Sequence, residues 1–277
     1  MDGRTVLITG GTSGIGRATA VGLASMGARV AIVGRERRRA DDAAREIRAA
    51  DDQRVEVFVA DLSCQSEVRR VAAEVLERLD RIDVLVNNVG GYWNTRHVTA
   101  DGLERTFALN HLAPFLLTNL LLDRLKQGPA RVVSVASSAH AEGRIDFYDL
   151  QGERAYSGGR AYSQSKLANV MFAYELARRL RTTSVTANAV HPGVVSTGFG
   201  AEDPGGIQRL LVPCVRPFMK TPAQGAATSI HVASDPDLES LTGRYFAGSR
   251  PRRSSKRSHD HDAAVRLWQA SADLVSL

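Results

Sequence analysis

The chain has 277 residues, 43% hydrophobic and 24% charged, which is enough apolar material for a full core and unlike the composition of a disordered chain. Its two cysteines, Cys64 and Cys214, lie far apart with no C-x-x-C partner. That argues against a disulfide frame or a zinc site, so we expect no metal, and it fits a reducing, cytoplasmic setting. No apolar run approaches the ~20 residues of a membrane span, and Met1-Asp2-Gly3-Arg4 leads directly into Thr5-Val6-Leu7-Ile8 with no signal core. Of the net charge of +6, five charges sit on Arg250, Arg252, Arg253, Lys256 and Arg257. No aromatics are interleaved for base stacking, so this stretch reads as a solvated loop and not as a nucleic-acid surface.

Residues 5–9 form a short apolar, β-branched run, a buried-strand pattern. Thr9-Gly10-Gly11-Thr12-Ser13-Gly14-Ile15-Gly16 follows, then a helical pattern over 17–26 and a second strand over 29–33. A strand, a glycine turn and a helix bring backbone N–H groups and a helix N-terminus against a pyrophosphate. Gly10, Thr12, Ser13, Gly14, Ile15 and Gly16 are therefore candidate cofactor residues. The end of the second strand selects the dinucleotide: a carboxylate there suits the ribose 2′-OH of NAD, an arginine the 2′-phosphate of NADP. Here Ile32-Val33-Gly34-Arg35 ends the strand and Glu36 falls one position late. Arginine forks match phosphate, so Arg35 favours NADP(H) over NAD(H). Arg37, Arg38 and Arg39 read mainly as the solvated start of the next helix.

A helix is predicted over 41–50, a strand over 54–60 ending in Asp61-Leu62, a helix over 67–79, and a strand over 82–86 ending in Asn87-Asn88-Val89-Gly90. This alternation predicts a doubly wound parallel sheet of about seven strands, one domain over 1–277, covered by helices on both faces. Ligands in such sheets gather at the carboxyl ends of the strands, which points to Asp61, Leu62, Asn88 and Gly90. Thr99 to Glu104 carries helix-capping chemistry for a helix running to Asn110. The next helix, 111–126, is so rich in leucine that it predicts a subunit contact, hence a homodimer or homotetramer, with burial inside the monomer as the competing account.

A fifth strand over 131–136 ends in Ser137-Ser138, and a polar, aromatic and glycine-bearing insert over 142–160 leads to Ala161-Tyr162-Ser163-Gln164-Ser165-Lys166. A helix stacks positions i and i+4, so the Tyr162 phenol and Lys166 ammonium form a proton-handling pair in which the cation would lower the phenol pKa. A sixth strand over 185–190 runs into His191-Pro192-Gly193-Val194-Val195-Ser196-Thr197. Residues 198–220, glycine-hinged and then apolar, read as a lid over a substrate. A helix over 221–233, a short edge strand over 243–246 and a C-terminal helix over 262–274 complete the chain, with the basic loop between the last two. His259-Asp260-His261-Asp262 has metal-capable types but reads as solvated.

The order Thr9-Gly-Gly-Thr-Ser-Gly14-Ile15-Gly16, Asn87-Asn88-Val89-Gly90, Asn110, Ser138, Tyr162-x-x-x-Lys166 and Pro192-Gly193 resembles the short-chain dehydrogenase/reductase family over nearly the whole chain. The stretches 110–118 and 160–169 and the long insert before Tyr162 are similar to its retinol-dehydrogenase-like branch. Two departures stand out. Val89 replaces the family's usual alanine, and Tyr156 has Arg160, not lysine, four residues on, so Tyr162 is the match. The resemblance implies an NAD(P)-dependent oxidoreductase interconverting a carbonyl and an alcohol, with a hydrophobic small molecule as substrate. It implies Tyr162 as acid or base, Lys166 as its partner on the nicotinamide ribose, Ser138 on the substrate oxygen and Asn110 holding a relay water. Pro192, Gly193, Val195 and Thr197 would border the nicotinamide. A cofactor-sensing regulator and an epimerase or dehydratase are the competing functions.

Overall fold

Every position of strand β1 (Thr5–Thr9) is buried, as its unbroken apolar run requires of a strand covered on both faces. The computed structural model describes residues 1–50, 55–196, 203 and 219–277. In chain order β1 is followed by helix α1 (Gly14–Ala24), β2 (Arg29–Gly34), α2 (Arg37–Ala50), β3 (Glu56–Val59), α3 (Gln65–Arg78) and β4 (Val84–Asn87). After a loop come α4 (Arg105–Phe107), a π-helical turn (Ala108–Leu112), α5 (Ala113–Leu120), α6 (Leu122–Leu125), β5 (Ala130–Val135), α7 (Gly158–Arg179) and β6 (Val185–His191). The helix Pro222–Ser234, strands β7 (Tyr245–Ala247) and β8 (Arg250–Arg252) and the C-terminal helix His261–Val275 follow.

The strands lie in the order β3-β2-β1-β4-β5-β6-β7-β8, all parallel except the last pair. Leu7 of β1 stands between Ala31 of β2 and Leu85 of β4. The chain therefore leaves β1 in one direction and resumes from β4 in the other, and a ligand crevice opens at that reversal, at the carboxyl ends of the strands. One core packs Leu7, Phe58, Leu85 and Leu116 beneath α3, α5 and α7. The other packs Val6, Ile8, Leu23, Ile47 and Val232 beneath α1, α2 and the helix Pro222–Ser234.

Three expectations change. The basic stretch holds an eighth strand: Arg250–Arg252 pairs antiparallel with β7, so β8 and not β7 is the edge. Its three exposed residues, two arginines around a proline, blunt that edge against further pairing. Second, Thr99 starts no helix. Gly102 at φ +77° turns the chain, and the cap falls at Glu104, whose carboxylate accepts from Thr106 and Phe107 N–H. Third, the leucine stripe faces inward: Leu112, Leu116, Leu117, Leu121 and Leu125 are buried in the chain's own core. The C-terminal helix adds Trp268 against Phe115 and Phe172, at ring distances of 4.9 and 5.7 Å. Burial within the chain thus accounts for the leucines.

Candidate active site

The glycine turn is built for close backbone approach. Gly10 and Gly14 adopt φ of +65° and +52°, and a Cβ on Gly16 would stand 2.2 Å from the Gly10 carbonyl oxygen. Asn88 clamps the turn from β4: its Nδ2 donates to the Thr9 carbonyl at 2.9 Å and the Gly10 carbonyl at 3.3 Å. In return Thr9 Oγ1 accepts from the N–H groups of Asn88 and Val89, at 3.0 and 3.1 Å. Ser13 occupies the N-cap of α1 without capping it by its side chain, which leaves first-turn N–H donors for an anion. Thr12 packs its methyl against Gly34, and Ile15 and Val195 both abut Gly225.

Around this cradle the other expected residues take distinct places. Arg35 is exposed immediately after β2. Glu36, the nearest acid, pairs with Arg39 at 3.1 Å, and Arg37 pairs with Asp41 at 3.3 Å, as solvated helix residues do. The Asp61 carboxylate accepts from the N–H and hydroxyl of Ser63, at 2.9 and 2.8 Å, so it shapes the turn into α3. Leu62 is buried in the core with Val68, so its side chain is no surface for a ligand. A Cβ on Gly90 would lie 3.4 Å from Lys166 Nζ and 3.2 Å from Asn110 Oδ1, which brings the β4 loop to the lysine. The Pro192 carbonyl accepts from Lys220 Nζ at 3.3 Å, and Gly193 N–H donates to His191 Nδ1 at 3.4 Å. Thr197 lies outside the described residues, as does the expected lid except for Asp203, Met219 and Lys220. Asp203 accepts from Thr95 N–H and hydroxyl at 2.8 and 2.7 Å, joining that residue to the loop after β4.

The catalytic candidates converge from three elements. Tyr162 and Lys166 stand one turn apart on α7, with Nζ 5.6 Å from the phenol ring centre. Helix α7 approaches the β4 loop closely because Gly158 has no Cβ, which would otherwise sit 2.3 Å from the Trp93 carbonyl oxygen. Tyr92 meets the Tyr162 ring edge-on at 5.6 Å. Lys166 is buried and donates to the Val135 carbonyl at 3.2 Å. The hydroxyl bonded to the Tyr162 phenol belongs to Ser137, not to the expected Ser138. Ser138 is exposed and engages the site through its backbone N–H, which donates to His191 Nδ1 at 3.2 Å. The physical reason is the pitch of the chain after β5: Ser137 is still extended, at φ −156° and ψ 160°, and Ser138 already begins a 3-10 turn.

Asn110 occupies the π-helical turn and is fully buried. Pro114, four residues on, has no N–H to give the Asn110 carbonyl, so the α-helical ladder cannot continue there. The Asn110 side chain is spent on structure. Oδ1 accepts from Gly91 N–H at 2.7 Å, and Nδ2 donates to the Gly91 carbonyl at 3.0 Å and to Ser165 Oγ at 2.9 Å. The main-chain carbonyl, which Pro114 leaves without an α-helical N–H, is the group a relay water would use.

Burial dominates the electrostatics. It pushes the Tyr162 phenol above its ordinary range, offset in part by the Ser137 hydrogen bond, and it brings Lys166 down to about 8. The expected lowering of the phenol by the ammonium is outweighed by desolvation of the phenol itself. Neutral Tyr162 thus carries a proton at pH 7. Tyr156 sits apart, with its hydroxyl within 3.3 Å of Trp93 O, Glu104 Oε1 and Thr106 Oγ1, and desolvation raises it to about 12. His111, next to Asn110, is buried between Asn169 and Ser271 and lowered to about 4 by desolvation. Its depressed pKa means that it folds neutral, so the stability it confers is complete above its unfolded pKa near 6.5 and is lost as pH falls towards 4. We expect an acid-side loss of about 3 kcal/mol from this one ring, visible in urea melts between those pH values and flattened in His111→Gln. An unchanged slope in the variant would refute this.

A dinucleotide cradle at the switch point, with a tyrosine, a lysine and a serine hydroxyl gathered beside it, defines a nicotinamide-type oxidoreductase on a Rossmann sheet. The short chain dehydrogenase family model matches residues 4–205, and the chain belongs to the short-chain dehydrogenase/reductase family. It is 42% identical to human retinol dehydrogenase 14 over 100% of this chain and 88% of that protein, and 44% identical to mouse retinol dehydrogenase 12 over 99% and 87%. Among solved structures, an uncharacterised protein from Mycobacterium paratuberculosis superposes with a TM-score of 0.80 at 36% identity, covering 99% of this chain and 94% of that one. A Burkholderia cenocepacia short chain dehydrogenase in complex with NADP gives 0.71 at 27% identity, covering 88% and 96%. Among the described residues no helix is long and apolar enough to cross a membrane.

Proposed function

We propose that the chain is an NADPH-dependent reductase of hydrophobic aldehydes or ketones, of the size and polarity of retinaldehyde, working in the cytoplasm. The observation that carries this is the convergence of the Tyr162 phenol, the Ser137 hydroxyl and Lys166 at the crevice above the glycine turn. The cradle fits the cofactor: open N–H donors at α1, a turn that admits no Cβ, and Arg35 where a 2′-phosphate would lie. Bound nicotinamide supplies or accepts the hydride. The chain's own residues manage the oxygen. Ser137 donates a hydrogen bond to the substrate oxygen and stabilises the charge that develops there. Tyr162, held protonated by burial, gives its proton to that oxygen. Lys166, buried against Val135, stabilises the phenolate left behind.

The hydrophobic substrate class rests on the two relatives' names, retinol dehydrogenases, and on Tyr92 in the loop after β4, edge-on to Tyr162, with exposed Tyr148 on the insert. Direct assay is the test: the protein with NADPH and retinaldehyde, against NADH and against small polar ketones. NADPH should be preferred by at least about tenfold in kcat/KM, since a charge-assisted phosphate contact is worth more than about 1.4 kcal/mol. Arg35→Glu should reverse the order of the two cofactors. Equal use of both by wild type and variant would remove Arg35 from cofactor choice.

A further inference from the structure

We propose that His140 is a positioning residue for the Ser137 hydroxyl, braced from behind by the stretch 254–259 that follows the edge strand. This rests on the reading of Ser137 given above. His140 is buried in the 3-10 turn after Ser137, and its Nδ1 lies 2.7 Å from the Ser137 carbonyl oxygen. Its Nε2 lies 3.1 Å from the Ser255 N–H. A carbonyl only accepts and an N–H only donates, so the ring must be neutral with its proton on Nδ1; that tautomer satisfies both contacts. The same carbonyl also takes the His140 backbone N–H at 3.2 Å, and Ser137 Oγ takes the Ala139 N–H at 3.3 Å. The serine is thereby fixed through main chain and side chain together.

What holds the histidine is the far end of the chain. Ser254 Oγ contacts the Tyr174 hydroxyl at 2.7 Å, Ser258 Oγ at 2.7 Å and His259 Nε2 at 3.0 Å. His259 stacks on Tyr174 at 5.2 Å. Arg257 donates to the Gly143 carbonyl at 3.2 Å, just beyond the 3-10 turn. Tyr174 belongs to α7, the helix that carries Tyr162 and Lys166. One segment thus grips both the helix bearing the phenol and the turn bearing the serine, and so fixes their separation. The basic stretch that looks like a solvated loop in the sequence has Ser254 and Ser258 turned inward to this task, while its basic residues, Arg257 included, stay exposed.

Two substitutions isolate the contact. Ser255 has φ −61°, already the proline value, so Ser255→Pro deletes the N–H donor with little change of backbone. His140→Asn keeps an amide donor for the Ser137 carbonyl but is too short to reach Ser255. Assayed with NADPH and retinaldehyde, each should lower kcat by about tenfold or more, since small misplacements of a reacting group are costly. KM and the NADPH dissociation constant should stay within about twofold. The double variant should be no slower than the worse single one, because both cut the same link. Melting temperature and NADPH binding verify the fold; if Ser255→Pro fails to fold, Ser254→Ala, which releases the stretch from Tyr174, takes its place with the same expectation. An unchanged kcat in these variants, or strictly additive losses, overturns the brace while Ser137→Ala still abolishes turnover. If Ser137→Ala itself leaves turnover intact, the reading of the site fails and the brace with it.

Discussion

Tyr162→Phe should lower turnover with NADPH by about a hundredfold or more while leaving the protein folded and able to bind NADPH. The phenol oxygen is the one group of this residue that the chemistry needs, and positioned general acids contribute about 10²–10⁴-fold. The rest of the side chain serves packing: the ring is edge-on to Tyr92 and in reach of the Lys166 ammonium, and phenylalanine retains both contacts. The proposed cofactor cradle, the turn at Gly10 to Gly16 with its clamp by Asn88, is built without the phenol. The direction of the pKa shift adds a second readout. Burial holds the proton on Tyr162 at neutral pH, so reduction by the wild type should persist through pH 7 and decline only on the alkaline side. Parallel loss of NADPH binding and turnover in Tyr162→Phe would show that the residue is structural instead.

Ser137→Ala and Ser138→Ala should part company by about two orders of magnitude. The Ser137 hydroxyl bonds the Tyr162 phenol, so its removal takes away a donor at the oxygen where charge develops, typically a loss of 10²–10³ in kcat. Ser138 is exposed and contributes through its backbone, which alanine preserves, so Ser138→Ala should stay within about twofold of wild type. The reverse ranking would restore Ser138 and mean that the end of β5 is rotated from the arrangement described. Because neither change alters the glycine turn, NADPH affinity serves as the internal control for both.

These two serines also mark where sequence reasoning runs out. The alternation of elements, the glycine turn, Asn88 and the Tyr162–Lys166 pair were legible because each rests on local rules: periodicity, glycine φ, helical spacing. The choice between Ser137 and Ser138 is not local. It depends on where β5 stops being extended, and strand ends are set by tertiary contacts, here the His191 and His140 bonds on either side. His140 has no motif; a histidine three residues past a serine gains meaning only when residue 255 arrives beside it. The leucines of 111–126 stay open between subunit contact and internal burial for a related reason: composition says that a surface must be covered but not by what, and α3, α7 and the C-terminal helix cover it. Asn110 was marked only by resemblance, yet Pro114 four residues later is a signal that the sequence carried: a helix forced to drop a hydrogen bond at that carbonyl.

The grip of residues 254–259 on the turn after β5 has a consequence for biogenesis. The glycine turn and its Asn88 clamp lie within the first 90 residues, whereas the strut behind Ser137 comes only at residues 254–259, and Arg69 pairs with the still later carbonyls of Val275 and Ser276. During synthesis the chain therefore holds the residues of the glycine turn long before it holds the brace that aligns Ser137, so the serine is the part of the site set last.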